Sequence, residues 1–196
     1  MLWSNFELAK HLSMNVTLIN GNPDNGSNYF EAYVKDLTST LKLKGINTIC
    51  YNLRESHIIS CTGCWGCWVK TPGECLFQDD TIKIRNKVVH SDWVIFLSPL
   101  IMGFTSALLK KMQDKFIPLV HPYIELVNNE CHHEKRYEQY PKIGLVYARE
   151  KDTDDEDLKI VSDIYSRFAL NFKSEFKLFK SIDEPIETLT HEINIH

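Results

Sequence analysis

Four of the six cysteines crowd into one stretch, CTGCWGCWVKTPGEC, between residues 61 and 75. Cys61, Cys64 and Cys67 have C-x2-C-x2-C spacing, and Cys75 follows after a wider gap that holds Trp68, Pro72 and Gly73. Thiolates at such intervals can wrap one compact soft-metal centre, and the first three reproduce the opening of a [4Fe–4S] ligand run. The same four thiolates could hold zinc, or stay reduced and metal-free. Trp65 and Trp68 are expected to pack this loop or a subunit contact. A second soft group is Cys131-His132-His133. Adjacent residues on an extended chain point to opposite sides, so a polar loop is the expectation there.

The chain has 196 residues, enough for one domain with a good core, and its 43% hydrophobic and 24% charged residues are those of a globular protein. A formal net charge of -4 gives no reason to expect a nucleic-acid partner. No apolar run reaches the roughly 20 residues of a membrane span. The start, MLWSNFELAKHLSMN, lacks the long apolar segment of a secretory signal. A cytoplasmic location is expected, where thiols stay reduced, and this argues against a disulfide framework.

The elements that must position these groups can be read from periodicity. Val16 to Ile19 is a short buried strand that runs into the turn-rich NGNPDNGSN. A helix then places Phe30, Tyr33, Val34, Leu37 and Leu41 on one face, with Asn28 and Glu31 spaced as a capping box and Gly45 as its stop. Residues 47–53 form a second strand. Asp79 and Asp80 precede a helix reaching about His90. Residues 93–97, WVIFL, form a third strand with no alternation, as in a strand covered on both faces. A helix follows with Leu108, Leu109, Met112 and Phe116 on one face. Residues 118–141 read as a long connection, and residues 143–147 as a fourth strand. Thr153 to Glu156 has capping-box spacing before a helix whose stripe is Leu158, Val161, Ile164, Tyr165, Phe168 and Phe172. Residues 175–179 form a fifth strand.

Strands alternating with helices imply an α/β fold with a parallel sheet between two helical layers. Five strands suit the flavodoxin-like doubly wound order 2-1-3-4-5, a three-layer α/β/α arrangement. Expected boundaries are an N-terminal extension at 1–14, the domain at 15–180 and a poorly patterned C-terminal tail at 181–196. Ligands of such sheets bind at the carboxyl ends of the strands, beside the point where strand order reverses. The loops after strands one and three are therefore the candidate site.

The first of these, residues 21–29, leads into a helix N-terminus, where free N–H groups and the helix dipole favour an anion. Neither a Walker lysine nor GxGxxG is present, so a phosphate monoester is the better guess than a nucleoside triphosphate or dinucleotide. A plain turn-rich loop is the competing reading. The second, SPLIMGF at residues 98–104, is apolar where a strand end is usually polar, and Gly103 permits close backbone approach. It could lie against a flat aromatic ring, or simply be an apolar turn buried on its own helix. The cysteine segment follows strand two, so it is expected at the same edge as both loops.

The strand followed by GNPDNGSN resembles the phosphate loop of flavodoxin-like NAD(P)H-dependent FMN reductases. SPLIMGFTSALLKKMQDK resembles the segment that wraps the isoalloxazine in those proteins. CTGCWGCWVKTPGECLFQDD is similar to the cysteine segment of the iron–sulfur flavoprotein branch. The resemblance implies a tightly bound FMN. Phosphate contacts would fall on Asn22, Ser27, Asn28 and Tyr29, and ring contacts on Pro99, Leu100, Ile101, Met102 and Gly103. It departs from the family at Asn22 and Tyr29, where hydroxyl residues are common, and in the aliphatic Leu100-Ile101-Met102. It further implies an oxidoreductase passing electrons from NADH or NADPH to a quinone, a free flavin or another small-molecule or protein acceptor, and assembly as a homodimer or homotetramer. Two alternatives stay open. One is an electron carrier with a [4Fe–4S] cluster on Cys61, Cys64, Cys67 and Cys75; the other is a non-enzymatic flavin- or metal-binding module. No side chain presents itself as a general acid or base.

Overall fold

The computed structural model describes residues 14–24, 26 and 29–195. Residues 1–13, and with them nearly all of the expected extension, lie outside the described residues, as do Ser27 and Asn28. In chain order the strands are β1 (Asn15–Asn20), β2 (Asn47–Asn52), β3 (Trp93–Ile101), β4 (Phe104–Thr105), β5 (Val120–Val127), β6 (Glu130–Lys135), β7 (Lys142–Ala148) and β8 (Phe176–Ser181). The α-helices are α1 (Tyr29–Leu43), α2 (Gly66–Val69), α3 (Thr81–Val89), α4 (Ala107–Asp114), α5 (Asp155–Asn171) and α6 (Ile186–Ile195).

Five parallel strands form the sheet in the order β2-β1-β3-β7-β8, which is the expected 2-1-3-4-5 order of the parallel strands. Register runs from Val16 opposite Trp93 to Asn20 opposite Leu97. The non-alternating run of β3 is explained by cover on both faces. Val94 and Phe96 point into a core built with Ile84, Leu109, Met112, Leu158 and Val161, from α3, α4 and α5. Trp93, Ile95 and Leu97 point into the opposite core with Phe30, Leu37, Leu41, Leu189 and Ile193, from α1 and α6. The α1 stripe is buried as its 3.6-residue spacing requires.

Four local expectations change. Residues 118–141 contain an antiparallel hairpin, β5–β6, rather than an irregular connection. Its turn residues Asn128 and Asn129 have φ of 53° and 65°, the left-handed values that a two-residue type I′ hairpin turn demands and that asparagine tolerates. The segment 181–196 carries a helix, α6, with Leu189 and Ile193 buried against α1 and the sheet. The α5 capping box is one residue later than the spacing implied: Asp154 accepts from the Asp157 N–H, and Asp157 from the Asp154 N–H. Finally, Ile164 is exposed rather than part of the α5 stripe, while Ala169 is buried.

Candidate functional site

The carboxyl ends of β1 and β3 lie side by side, and the loop after β1 is locked to the helix that follows β3. The Gly21 N–H donates to the Leu97 carbonyl at 2.8 Å. Ser106, the N-cap of α4, donates its hydroxyl to the Gly21 carbonyl and accepts from the Leu109 N–H. The Ser106 N–H donates to the Ser98 hydroxyl at 2.9 Å. A Cβ on Gly21 would lie 2.6 Å from the Leu109 Cβ, so only glycine allows this approach of loop and helix.

Asn22 is buried and hydrogen-bonded within the loop. Its N–H donates to Asn20 Oδ1, its Nδ2 donates to Glu31 Oε1 at 2.7 Å, and its Oδ1 accepts from the Asp24 N–H. Glu31 also takes a two-pronged contact from Arg54 at 2.9 and 3.0 Å. Burial alone would push the Glu31 carboxyl up. Hydrogen bonds from Asn20, Asn22 and Arg54 outweigh it and hold the group below its ordinary range. Arg54 thereby offsets a carboxylate that would otherwise repel an anion at the start of α1. Tyr29 opens α1, stands exposed, and donates its hydroxyl to the Ile182 carbonyl at 3.4 Å, at the end of β8. Asn22 thus ties the loop to the Glu31 carboxylate, a contact that an asparagine's sequence position does not announce.

The second loop is a hairpin rather than an irregular turn. Leu100 pairs with Thr105 and Ile101 with Phe104, and the turn residues Met102 and Gly103 have φ of 54° and 74°. Leu100 is buried in the core below. Pro99 is half-buried, while Ile101 and above all Met102, 93% exposed, form an apolar shelf at the hairpin tip. The Gly103 N–H donates to Glu150 Oε2 at 3.2 Å. Glu150 belongs to the loop after β7, which sequence reasoning left out. A sheet of parallel strands delivers every strand's following loop to one edge, and that was the available signal.

The cysteine segment begins at this edge. Its two stems are tied together where the His57 N–H meets Asp80 and the Ile59 N–H meets Asp79. The chain then runs outward, and Cys61, Cys64, Cys67 and Cys75 line one cavity together with Asp114, Lys115 and Pro118. Those last residues mark the C-terminal end of α4, whereas Gly21 and Ser98 meet its N-terminal end. The thiols and the two loops therefore flank opposite ends of an eight-residue helix, a length of about 12 Å.

All six cysteines are free thiols. Among the described residues no three His, Cys, Asp or Glu side chains gather as a site for one metal ion. The cup is sequence-built: a Cβ on Gly66 would lie 2.2 Å from Leu76, so glycine lets residue 76 fold back over α2. The Gly66 N–H draws the exposed Cys64 thiol below its ordinary range. Burial, then the neighbouring Cys75, pushes Cys67 up. Trp68 packs the loop, donating from Nε1 to the Val120 carbonyl at 2.9 Å, stacking on Trp65 at 4.8 Å and meeting the His133 ring at a tilt at 4.9 Å. Below the thiols lies a buried ion pair that periodicity did not reveal, Lys115 with Asp79 at 3.1 Å. The Cys131-His132-His133 group lies on β6, where His132 is held by Asn171 and Glu130.

An iron-sulfur flavoprotein of Methanocaldococcus jannaschii is 32% identical over 106 residues, 54% of this chain and 53% of the relative. An iron-sulfur flavoprotein of Archaeoglobus fulgidus is 31% identical over 97 residues, 50% of this chain and 41% of the relative. The chain thus spans about half the length of the curated relatives it matches. An FMN-dependent NADH-azoreductase of Bacillus anthracis, solved in complex with FMN, superposes with a TM-score of 0.57 at 14% identity, over 93% of this chain and 95% of that one. At that identity the likeness is one of fold. The family described as NADPH-dependent FMN reductase matches residues 14–130, which include the loop after β1, the cysteine cup and the β3–β4 hairpin. With more than half of its length matched, the chain belongs to the NADPH-dependent FMN reductase family.

Proposed function

We propose that the chain is an FMN-dependent oxidoreductase acting between NADH or NADPH and a quinone, a free flavin or another acceptor. The observation that carries this reading is the locking of the β1 loop to the β3–β4 hairpin and α4 through Ser106 at the strand-order reversal. The residues present fit FMN. The start of α1 offers backbone donors whose attraction for phosphate is preserved because Arg54 offsets Glu31. Ile101 and Met102 offer an apolar shelf for a flat ring, and Gly103 with Glu150 fixes its height. Leu100 supports that shelf from the core. Ser27, Asn28 and Tyr29 remain proposed phosphate-side residues. Bound FMN would supply hydride acceptance and the return of electrons singly or in pairs. The chain's own part is to bind, orient and shield.

Heat release of the cofactor from purified protein, followed by chromatography, is expected to yield FMN. Recovery of FAD as the main flavin, or failure of added FMN to bind, overturns the reading. Turnover of NADH or NADPH by the flavin-loaded protein separates an enzyme from a binding module. Self-association is proposed from the exposed shelf and the exposed Tyr123 and Leu126 of β5; light scattering at the mass of one chain would overturn it.

A second reading adds to the first: Cys61, Cys64, Cys67 and Cys75 hold a [4Fe–4S] cluster. The donor set fits, since four free thiols line one cavity. The curated relatives are iron-sulfur flavoproteins, which supports a cluster over a zinc ion. Iron and acid-labile sulfide analysis of protein purified without oxygen tests it, with roughly four of each per chain expected.

A further inference from the structure

The charges buried beneath the cysteine cup do not balance among themselves. Lys115 is 1% exposed, with Nζ at 3.1 Å from Asp79 Oδ2 and 3.2 Å from Cys75 Sγ. Asp79 is saturated. Its Oδ1 accepts from the Thr81 N–H and hydroxyl, and its Oδ2 from the Ile59 N–H and Lys115. Arg85, one turn further along α3, is 4% exposed. It donates to the Thr81 hydroxyl at 2.7 Å and to the Lys115 carbonyl at 3.2 Å. Among the described residues no carboxylate forms an ion pair with Arg85. Two buried cations thus share one buried carboxylate. A surplus buried charge is costly unless a counter-charge completes it, and besides Asp79 the group in contact with Lys115 Nζ that can carry one is the Cys75 thiol.

We propose that Lys115, backed by Arg85, is a positioning residue that supplies the counter-charge for an anionic centre on the four cysteines and makes that centre easier to reduce. The proposal rests on the cluster reading above. Four thiolates give a bound cluster a net negative charge. One-electron reduction adds one further negative charge, with no bond made or broken and no proton moved. The electron comes from the nicotinamide-reduced flavin of the proposed reaction, or from dithionite in a titration. A fixed ammonium against a ligand sulfur, shut away from solvent, favours the more negative form, because screening there is weak. Lys115 does this through Cys75 and without touching substrate. The charge need not be placed by chance: Lys115 follows α4 directly, and Asp79 aims its Nζ toward Cys75.

The test compares the full chain with its Lys115→Met, Lys115→Arg and Arg85→Gln variants, and with Lys83→Met, whose lysine is exposed and pairs with Asp80. Iron and sulfide are measured first, then the midpoint potential by anaerobic titration followed by electron paramagnetic resonance. Expected is a more negative midpoint in Lys115→Met, recovery in Lys115→Arg, a smaller negative shift in Arg85→Gln and no shift in Lys83→Met. An iron-loaded Lys115→Met protein with the wild-type midpoint overturns the proposal while the cluster reading stands. A wild-type chain without iron or sulfide after reconstitution overturns the cluster reading itself. Should Lys115→Met fail to fold, Arg85→Gln decides, since an unshifted midpoint there removes the surplus-charge argument.

Discussion

Glu31 carries more of the candidate flavin site than any residue that faces outward. It gathers Asn20, Asn22 and Arg54 beneath the loop after β1. Its folded carboxyl is held below the unfolded value, so its contribution to stability is present above the ordinary carboxylate range. That contribution is lost as pH falls below the ordinary glutamate range and through the lowered folded value. Glu31→Gln is expected to cost about 1–3 kcal/mol near neutrality and to flatten the acid limb of a stability-versus-pH curve measured by urea unfolding. An unchanged acid limb would show that the network does not act through this charge. Gly103 offers a second test. A valine there meets φ of 74° and the Asp157 carboxylate 3.2 Å from its Cβ, so Gly103→Val should lower stability by about 1–2 kcal/mol and weaken FMN in a flavin titration. Wild-type FMN affinity in that variant would mean that the hairpin tip does not meet the ring. These positions were legible to different degrees. Glycine between an apolar strand and a helix announces a close approach. By contrast, an asparagine in a turn says nothing about which way its amide faces, so the Asn22–Glu31 contact was not legible.

At the scale of elements, α5 is started by the reciprocal pair Asp154 and Asp157. Asp154→Ala should cost about 1 kcal/mol and lower the midpoint of thermal unfolding by about 2–4 °C, read by circular dichroism, with FMN affinity retained. A variant as stable as wild type would show that Asp155 and Glu156 suffice against the dipole. Regular elements were legible wherever one face meets one core. The α1 stripe is the clearest case, since Phe30, Tyr33, Val34, Leu37 and Leu41 repeat with the helix and all are buried. α6 was not, because Glu187, His191 and Glu192 interrupt its pattern and its burial depends on α1, a distant partner in sequence. Ile164 failed for the reverse reason: its spacing suits the stripe, but α5 turns that side to solvent. The β5–β6 hairpin was hidden by charged residues at strand positions with one face open, and only its Asn-Asn turn announced it.

At the scale of the molecule, the doubly wound order follows from alternation of strands and helices, so it was legible. The meeting of the cysteine segment with the end of α4 was not, since a long excursion between two tied stems can end anywhere within its reach. Its actual end gives α4 two fixed appointments. Ser106 at one end must meet Gly21, and Lys115 past the other must meet Asp79 and Cys75. One residue added to a helix turns everything beyond it by about 100° and advances it by about 1.5 Å. Insertion of a single alanine after Lys110 therefore cannot satisfy both ends at once. Such a variant should lose either flavin binding or the protection of Cys75 from a thiol-reactive dye, whereas an alanine inserted beside Pro72 in the cysteine loop should leave flavin binding intact. Insertional tolerance thus divides the chain unevenly. The loops that carry the reactive groups can change length over generations, and the plain eight-residue helix between them cannot.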